Sequence, residues 1–294
     1  MAGPVPRTRA RHHGRLGEWI ALPEFGLIFY NLPDHDLTRF VAFASTSGFT
    51  CAEIAVRHIW DGSDAAAAEQ RATGLGRLLS DHGMRLSALS AGNNFIQATD
   101  DELRLEVERM RQVCLLARRA GTSLLRIDGG SPRRSGVPED RWRARIVAAL
   151  QALRPFIESE GFVLALDNHG VVTNDAALQV QIFEEVGSRN IGANLDTMNY
   201  RWFGHPLDTV ARFYRVIAPY VRHTHMKDGR GARPSYEGTA LGAGELDLLA
   251  AVDALRAVQY TGPWVVEYEG RTDHEEGYRR GLRWLREHVP AAGA

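Results

Sequence analysis

An acidic residue or a histidine lies at or near the end of each of four apolar segments in the second half of the chain. A carboxylate at the end of a buried strand is costly unless it is paired or bound to a metal. One imidazole and three carboxylates suit Mn²⁺, Mg²⁺, Co²⁺, Fe²⁺ or Zn²⁺, and ligand type alone does not choose among these ions. Each residue by itself could equally be a helix cap or a salt-bridge partner, but four together indicate one metal site. The four residues are Asp167 in LALDNHG, Asp196 in NLDTMN, His225 in HTHMKD and Glu267 in VVEYEG.

Lys227 follows His225 by two residues and is the only lysine in the chain, whereas the other basic residues are arginines. Residues two apart in a strand share a face, so Lys227 would point where His225 points. A compact ammonium is not interchangeable with a planar guanidinium. Residue type and spacing leave two possibilities for Lys227, a contact with a bound ligand or a buried ion pair with Asp228 or a strand-end carboxylate. His223 is expected inside the barrel, beneath the metal.

The elements that must position these residues alternate between short apolar runs and longer helical patterns. The clearest helical pattern runs from Asp101 to Ala120, where Thr99 and Glu102 form a capping box and Gly121 follows the end. Eight strand–helix units predict an α/β fold, a single (β/α)8 TIM barrel. An open doubly wound sheet is the alternative, but no glycine-rich phosphate turn follows any strand. The predicted strands are 25–30, 51–56, 84–90, 123–128, 162–167, 191–196, 221–226 and 264–269.

Length and charge narrow the possible functions. The chain has 294 residues, which suits one barrel over residues 21–290 preceded by a mobile basic tail over residues 1–20. A net charge of −1 gives no broad field for nucleic acid or an anionic membrane. No apolar run reaches membrane-spanning length, and the start lacks the apolar stretch of a secretory signal. We therefore expect a cytoplasmic protein that acts on a small molecule.

Further polar residues follow the predicted strands and are candidates for binding substrate. His169 shares the face of Asp167 and would bind substrate, act as an acid, or support Asp167 by a hydrogen bond. Glu53 would approach the barrel mouth or pair with Arg126 across the barrel. A plain turn explains Asn94 almost as well as a pocket does. The substrate-binding candidates are Glu53, His58, Trp60, Asn94, Arg126 and Asn199.

The motifs LALDNHG, NLDTMN, HTHMKD and GPWVVEYEG resemble the successive strand-end motifs of the xylose isomerase-like barrel superfamily. They are most similar to its sugar phosphate isomerase/epimerase group. The resemblance extends to SALSAGNNF, LLRIDGG and residues 240–270, and thus spans most of the chain after the tail. It implies one divalent metal ion, with manganese favoured, held by Asp167, Asp196, His225 and Glu267. Asp167 stands where the family usually has Glu, and its shorter side chain reaches less far toward a substrate carbon.

The resemblance also implies a reaction. A sugar or sugar derivative would be isomerised or epimerised by proton transfer next to a carbonyl, through a metal-stabilised enediolate. Glu267 is the stronger candidate for the proton-transfer group and Asp167 the weaker one, with Lys227 and His169 assisting. A lyase or dehydratase of a keto sugar or cyclitol shares the first step and stays open, as does a barrel subunit without catalysis. Barrels of this group often form homo-oligomers. The superfamily's apurinic endonucleases are disfavoured because Asn199 stands where they would place a histidine ligand.

Overall fold

Eight parallel strands close into a barrel in the computed structural model, which describes residues 23–132 and 136–289. Each strand pairs with its sequence neighbour, and the last barrel strand pairs with the first. The predicted α/β TIM barrel is therefore confirmed, whereas the predicted tail over residues 1–20 lies outside the described residues. The barrel strands are β1 (Phe25–Ile28), β2 (Cys51–Ala55), β3 (Arg85–Ser90), β4 (Leu124–Ile127), β5 (Val163–Asp167), β6 (Ile191–Asp196), β7 (Val221–Met226) and β10 (Trp264–Val266).

Helices connect the strands and form the outer layer of the barrel. A small antiparallel hairpin of β8 (Asp228–Arg230) and β9 (Glu237–Thr239) follows β7. Single 3₁₀ turns lie at Val56–His58, Glu139–Arg141 and Ala218–Tyr220. The helices are α1 (Leu37–Ser47), α2 (Ala65–Asp81), α3 (Asp100–Arg119), α4 (Trp142–Glu160), α5 (Ala176–Val186), α6 (Asn199–Phe203), α7 (Leu207–Ile217), α8 (Leu248–Ala257) and α9 (His274–His288).

Helix α3 begins where the capping residues predict. The Thr99 side chain accepts a hydrogen bond from the Glu102 backbone N–H, and the Glu102 carboxylate accepts one from the Thr99 backbone N–H. Two of the unpaired donors of the first turn are thereby satisfied. Leu103, Val107 and Met110 recur at helical spacing in α3, and all three are buried. Local sequence therefore fixes this helix well.

The eighth barrel strand is shorter than predicted. It ends at Val266, although the apolar run continues the strand pattern to residue 269. The Glu267 backbone N–H still donates to the Met226 carbonyl at 3.0 Å. Glu267 thus lies just beyond the sheet but remains tied to β7, and this connection fixes its position over the barrel mouth.

The barrel strands carry apolar side chains on the outer face, toward the helices, and several polar ones on the inner face. Strand residues that face the helices are apolar, as Ile54, Leu166 and Leu195 are, and all three are fully buried. The alternate residues point into the barrel, and several of them are polar, including Glu53 and His223. The apolar core therefore lies between strands and helices, and a polar layer fills the upper barrel. In the described part of the chain, no helix is both long and apolar enough to span a membrane.

Gly192 of β6 offers a test of strand packing. A Cβ atom at this position would overlap the backbone carbonyl oxygen of Tyr220, which belongs to the turn before β7. We expect Gly192→Ala to lower the free energy of unfolding by about 1–3 kcal/mol through overpacking. At Gly74 in the interior of α2, an added Cβ atom would meet no other atom within 4 Å. The matched Gly74→Ala substitution should instead stabilise the protein by about 0.5–1 kcal/mol, because alanine favours the helix. Urea unfolding of both variants measures the two changes in the free energy of unfolding. Equal changes would contradict the expected overlap at Gly192.

Candidate functional site

The four predicted ligands meet at the carboxyl ends of four neighbouring strands. Asp167 ends β5, Asp196 ends β6, His225 lies opposite Asp196 in β7, and Glu267 follows β10. Ligand atoms of Asp167, Asp196 and His225 all lie within 4.8 Å of one another. The Glu267 Oε2 atom lies 3.0 Å from His225 Nδ1. The barrel therefore gathers carboxylate and imidazole groups around one point, as a divalent cation requires.

Asp196 Oδ2 and His225 Nδ1 are both buried, and each contacts a charged neighbour, the Lys227 ammonium at 2.9 Å and Glu267 Oε2 at 3.0 Å. The other Asp196 oxygen, Oδ1, accepts hydrogen bonds from the backbone N–H groups of Met198 and Asn199, both at 2.8 Å. One oxygen of Asp196 is thus held by the backbone, and the second lies among charged groups in the interior of the site. Buried carboxylates are costly unless cations compensate them. The residues present therefore fit a divalent metal ion.

Asp167 is held by two side chains from the neighbouring strands. Asn194 Nδ2 donates to Oδ1 at 2.8 Å, and Arg126 forms an ion pair with Oδ2. Burial alone would raise the pKa of Asp167, but the nearby Arg126 and His225 charges outweigh it and lower the pKa to about 2. Asp167 is therefore a fixed anion. The His169 Nδ1 atom lies 3.8 Å from it, on a side chain that is 57% exposed at the barrel mouth.

Lys227 is buried among side-chain oxygens. Its Nζ lies 2.9 Å from Asp196 Oδ2, 3.3 Å from Glu267 Oε1 and 3.5 Å from Glu269 Oε1. It also donates to Asn199 Oδ1 at 3.1 Å. Burial alone would lower the pKa of Lys227, but the carboxylates hold it well above its ordinary value. The ammonium thus keeps its charge and contacts the strand-end carboxylates.

Asp228, the other predicted partner of Lys227, has a different function. Its carboxylate accepts hydrogen bonds from the backbone N–H groups of Gly229 at 2.8 Å and of Gly242 and Gly244, both at 3.0 Å. Asp228 therefore stabilises the loop that follows β7, and Lys227 pairs with the carboxylates of the site instead.

The environment moves the pKa values of two neighbouring carboxyl groups in opposite directions. Burial is the largest influence on Asp196 and raises its pKa to about 7, with Lys227 opposing it. Burial also acts on Glu267, but Lys227 and His225 outweigh it and hold the Glu267 pKa well below its ordinary value. Opposed shifts between neighbouring acids are typical of proton-transfer sites. Glu267 is ionised and so can accept a proton.

A second polar layer lies beneath the ligands. His225 Nε2 lies 2.7 Å from Glu53 Oε2, and His223 Nδ1 lies 2.8 Å from Asn194 Oδ1. His223 is fully buried, as expected, and burial lowers its pKa to about 3. Glu53 is also fully buried beneath His225, so it does not reach the barrel mouth as a substrate contact would. The expected Glu53–Arg126 pair does not form, because Arg126 instead contacts Asp167 and Asp128.

The remaining predicted residues lie in different surroundings. Asn199 faces the site, where its Nδ2 is buried without a partner. The Asn94 side chain instead holds a turn, because its Oδ1 accepts the backbone N–H groups of Ile96 at 3.1 Å and Ser131 at 2.9 Å. His58 packs against the Phe29 ring, with centroids 4.8 Å apart. Trp60 lines a groove with residues of α2 and α3. Substrate binding by His58 and Trp60 stays a prediction.

Sequence reasoning missed three residues near the site. Asn194 lies two residues before Asp196, so strand alternation could have identified it. Tyr236 lies between β8 and β9, and its buried Oη is near Lys227 and Glu269. Tyr30 follows β1 and is 45% exposed, and burial together with Glu269 raises its pKa. Nothing in the local sequence distinguishes the two tyrosines, because only the folding of distant loops brings them to the barrel mouth.

Several solved structures have a similar fold. D-psicose 3-epimerase from Clostridium cellulolyticum H10, solved with D-tagatose, aligns with a TM-score of 0.75 over 91% of this chain and 100% of its own, at 14% identity. An L-ribulose 3-epimerase aligns with a TM-score of 0.70 over 91% of this chain and 95% of its own, at 19% identity. A xylose isomerase domain protein from Planctomyces limnophilus aligns with a TM-score of 0.70 over 90% and 96%, at 18% identity. At these identities the likeness shows a shared fold.

Among curated protein sequences, none matches this chain. The family model described as xylose isomerase-like TIM barrel, in contrast, matches residues 41–288. That range includes seven of the eight barrel strands and all four strand-end motifs. The expected resemblance is therefore confirmed, and the chain belongs to the xylose isomerase-like TIM barrel family.

Proposed function

We propose that this protein is a divalent-metal-dependent isomerase or epimerase, which moves a proton next to the carbonyl of a sugar or sugar derivative. The observation that carries the proposal is the cluster of Asp167, Asp196 and His225, whose ligand atoms lie within 4.8 Å of one another beside the ionised Glu267. The two sugar 3-epimerases with the same fold support the choice of substrate class.

The charges around the site favour a cation. Asp167, Asp196, His225 and Glu267 would hold the metal ion. Six carboxylates lie in and beneath the mouth, whereas the permanent cations that contact them are two, Lys227 and Arg126, so the acidic groups outnumber the permanent cations. A bound divalent ion would polarise a substrate carbonyl and stabilise the negative charge that proton removal creates. The carboxylates are Glu53, Asp128, Asp167, Asp196, Glu267 and Glu269.

Glu267 is best placed to accept the proton. Its side chain is 11% exposed, whereas those of Asp167 and Asp196 are at most 1% exposed. Its contact with Lys227 keeps it ionised, as a general base must be. Asp167 is held between Arg126 and Asn194, so its movement toward a substrate would break two interactions.

Other side chains supply hydrogen bonds for a polyhydroxylated substrate. The Lys227 ammonium carries three N–H donors and would bind the substrate oxygen that becomes negative during proton removal. Asn199 Nδ2 and Tyr236 Oη are buried near it without partners, and each would bind a sugar hydroxyl. His169 is exposed at the mouth and would act there as a further donor or acceptor.

Elimination is the second candidate reaction, and the state of Asp167 favours it. Epimerisation needs a proton acceptor and a donor on opposite faces of the substrate, whereas elimination needs one base and a leaving group. Because Asp167 is buried and paired with the Arg126 guanidinium, whereas Glu267 is partly exposed, Glu267 is the more accessible carboxylate base. A lyase or dehydratase of a keto sugar or cyclitol would use Glu267 alone.

Metal content tests the ligand assignment first. Purified wild-type protein should contain nearly one divalent ion per chain by elemental mass spectrometry, and Asp196→Asn and His225→Ala should lose most of it. Asp208→Asn is the matched control, because Asp208 lies on the exposed side of α7. A wild-type protein that stays metal-free after incubation with Mn²⁺ or Zn²⁺ would refute the assignment and favour a barrel without catalysis.

Glu267→Gln tests the proton-transfer role. We expect deuterium exchange next to the carbonyl of a panel of keto sugars in heavy water to fall roughly 10²- to 10⁴-fold, because the amide cannot accept the proton. Metal content must be measured in parallel, and Glu184→Gln on the outer helix α5 serves as control. Full exchange by metal-loaded Glu267→Gln would show that another group is the base. An unsaturated, ultraviolet-absorbing product from the wild type would identify the elimination reaction instead.

Lys227→Met tests whether the lone lysine acts on the substrate. Turnover should fall roughly 10²-fold or more in metal-loaded protein, because the donor to the developing negative charge is lost. Lys227→Arg should fail to restore it, since a guanidinium does not fit the position of an ammonium. Circular dichroism verifies folding, because Asp196 and Glu267 lose a charged partner. Unchanged turnover in folded Lys227→Met would mean that the lysine is only an ion-pair partner.

A further inference from the structure

Glu53 lies beneath the candidate metal site, fully buried inside the barrel. It is the third residue of β2, and its register partners are Ile28 of β1 and Ala88 of β3. Both neighbours are apolar and supply no partner for a carboxylate. A buried charge requires a hydrogen-bonded partner, and Glu53 reaches across the barrel to β7 for it.

His225 is that partner, and the contact determines which ring nitrogen carries a proton. Nε2 lies 2.7 Å from Glu53 Oε2, and both side chains are at most 1% exposed. An ionised carboxylate only accepts hydrogen bonds, so Nε2 must donate. The opposite nitrogen, Nδ1, lies 3.0 Å from Oε2 of Glu267, another of the predicted ligands. Glu53 thus leaves Nδ1 as the nitrogen that can bind a metal ion.

His223 does not compete for the same bond. Its Nδ1 lies 3.5 Å from Glu53 Oε2 but only 2.8 Å from Asn194 Oδ1. Asn194 uses its Nδ2 to donate to Asp167, so its amide oxygen is the acceptor for His223. The short bond of Glu53 therefore goes to His225 alone. The cluster of Glu53, His223 and His225 thus lies beneath the predicted ligands, and His225 is the member that it shares with them.

We propose that Glu53 is a positioning residue that fixes the His225 ring so that Nδ1 coordinates the divalent ion. The inference rests on the proposed function, which supplies the metal. It replaces the expected substrate contact of Glu53, which its complete burial opposes. A carboxylate on the remote nitrogen of a ligating histidine sets the orientation of the ring and raises its basicity.

Manganese affinity of the full chain tests this role. Free Mn²⁺ is followed by electron paramagnetic resonance while wild type, Glu53→Ala and Glu53→Gln are titrated. Glu53→Ala should raise the dissociation constant about 10- to 100-fold, as is usual when such outer partners are removed. Glu53→Gln should recover most of the affinity, because its amide oxygen still accepts from Nε2. Thr224→Val should bind as the wild type does, since Thr224 is fully buried on the same strand but donates away from the site, to the Pro263 carbonyl at 3.0 Å.

Two outcomes of the titration would overturn the inference: wild-type affinity in folded Glu53→Ala, or equal losses in the alanine and glutamine variants. Glu53→Leu, which fills the space without an acceptor, replaces Glu53→Ala if that variant does not fold. A second measurement needs no metal. Crystal structures of the metal-free variants should show the His225 ring rotated in Glu53→Ala and retained in Glu53→Gln. A wild type that binds no Mn²⁺ refutes the proposed metal chemistry, while an unchanged ring in Glu53→Ala separately refutes the role of Glu53.

Discussion

The excess of buried negative charge inside the barrel is the constraint on which the site depends. Carboxylates from β2, β5, β6 and the end of β10 point into one confined volume. Ions removed from water must be compensated, or they protonate. Arg126 and Lys227 compensate part of the charge, and each contacts more than one carboxylate. Under the proposed function, a divalent cation among Asp167, Asp196 and His225 would compensate the rest.

The polar groups form two tiers with different physical roles. The lower tier of Glu53, His223 and Asn194 is closed to solvent, and its hydrogen bonds run from one strand to the next. It can therefore hold the ligands but cannot touch a substrate. The upper tier of Glu267, Lys227 and His169 reaches the mouth, where a sugar would enter. Rigid support below and accessible groups above are what a preorganised site requires.

Asp167 at the end of β5 is held in an ion pair. The Arg126 guanidinium of β4 contacts both Asp128 and Asp167. The strand-five carboxylate is thereby anchored, and under the proposed function Glu267 would be the more accessible base. Membership of the xylose isomerase-like family fixes the scaffold, but this local pairing bears on which reaction the scaffold carries out.

The sequence by itself determined the barrel, the capped helix α3 and the four strand-end groups, because periodicity and caps are local signals. Alternation also placed His225 and Lys227 on one face. Only the tertiary structure decided that Glu53 supports His225 rather than pairing with Arg126, and that Lys227 contacts Asp196 rather than Asp228. It also placed Asn94 in a turn and Tyr236 beside the lysine. Inside a barrel, an acidic side chain has several basic side chains within reach. Which of them it pairs with depends on the stagger of the strands and on side-chain length, and no local sequence pattern encodes either.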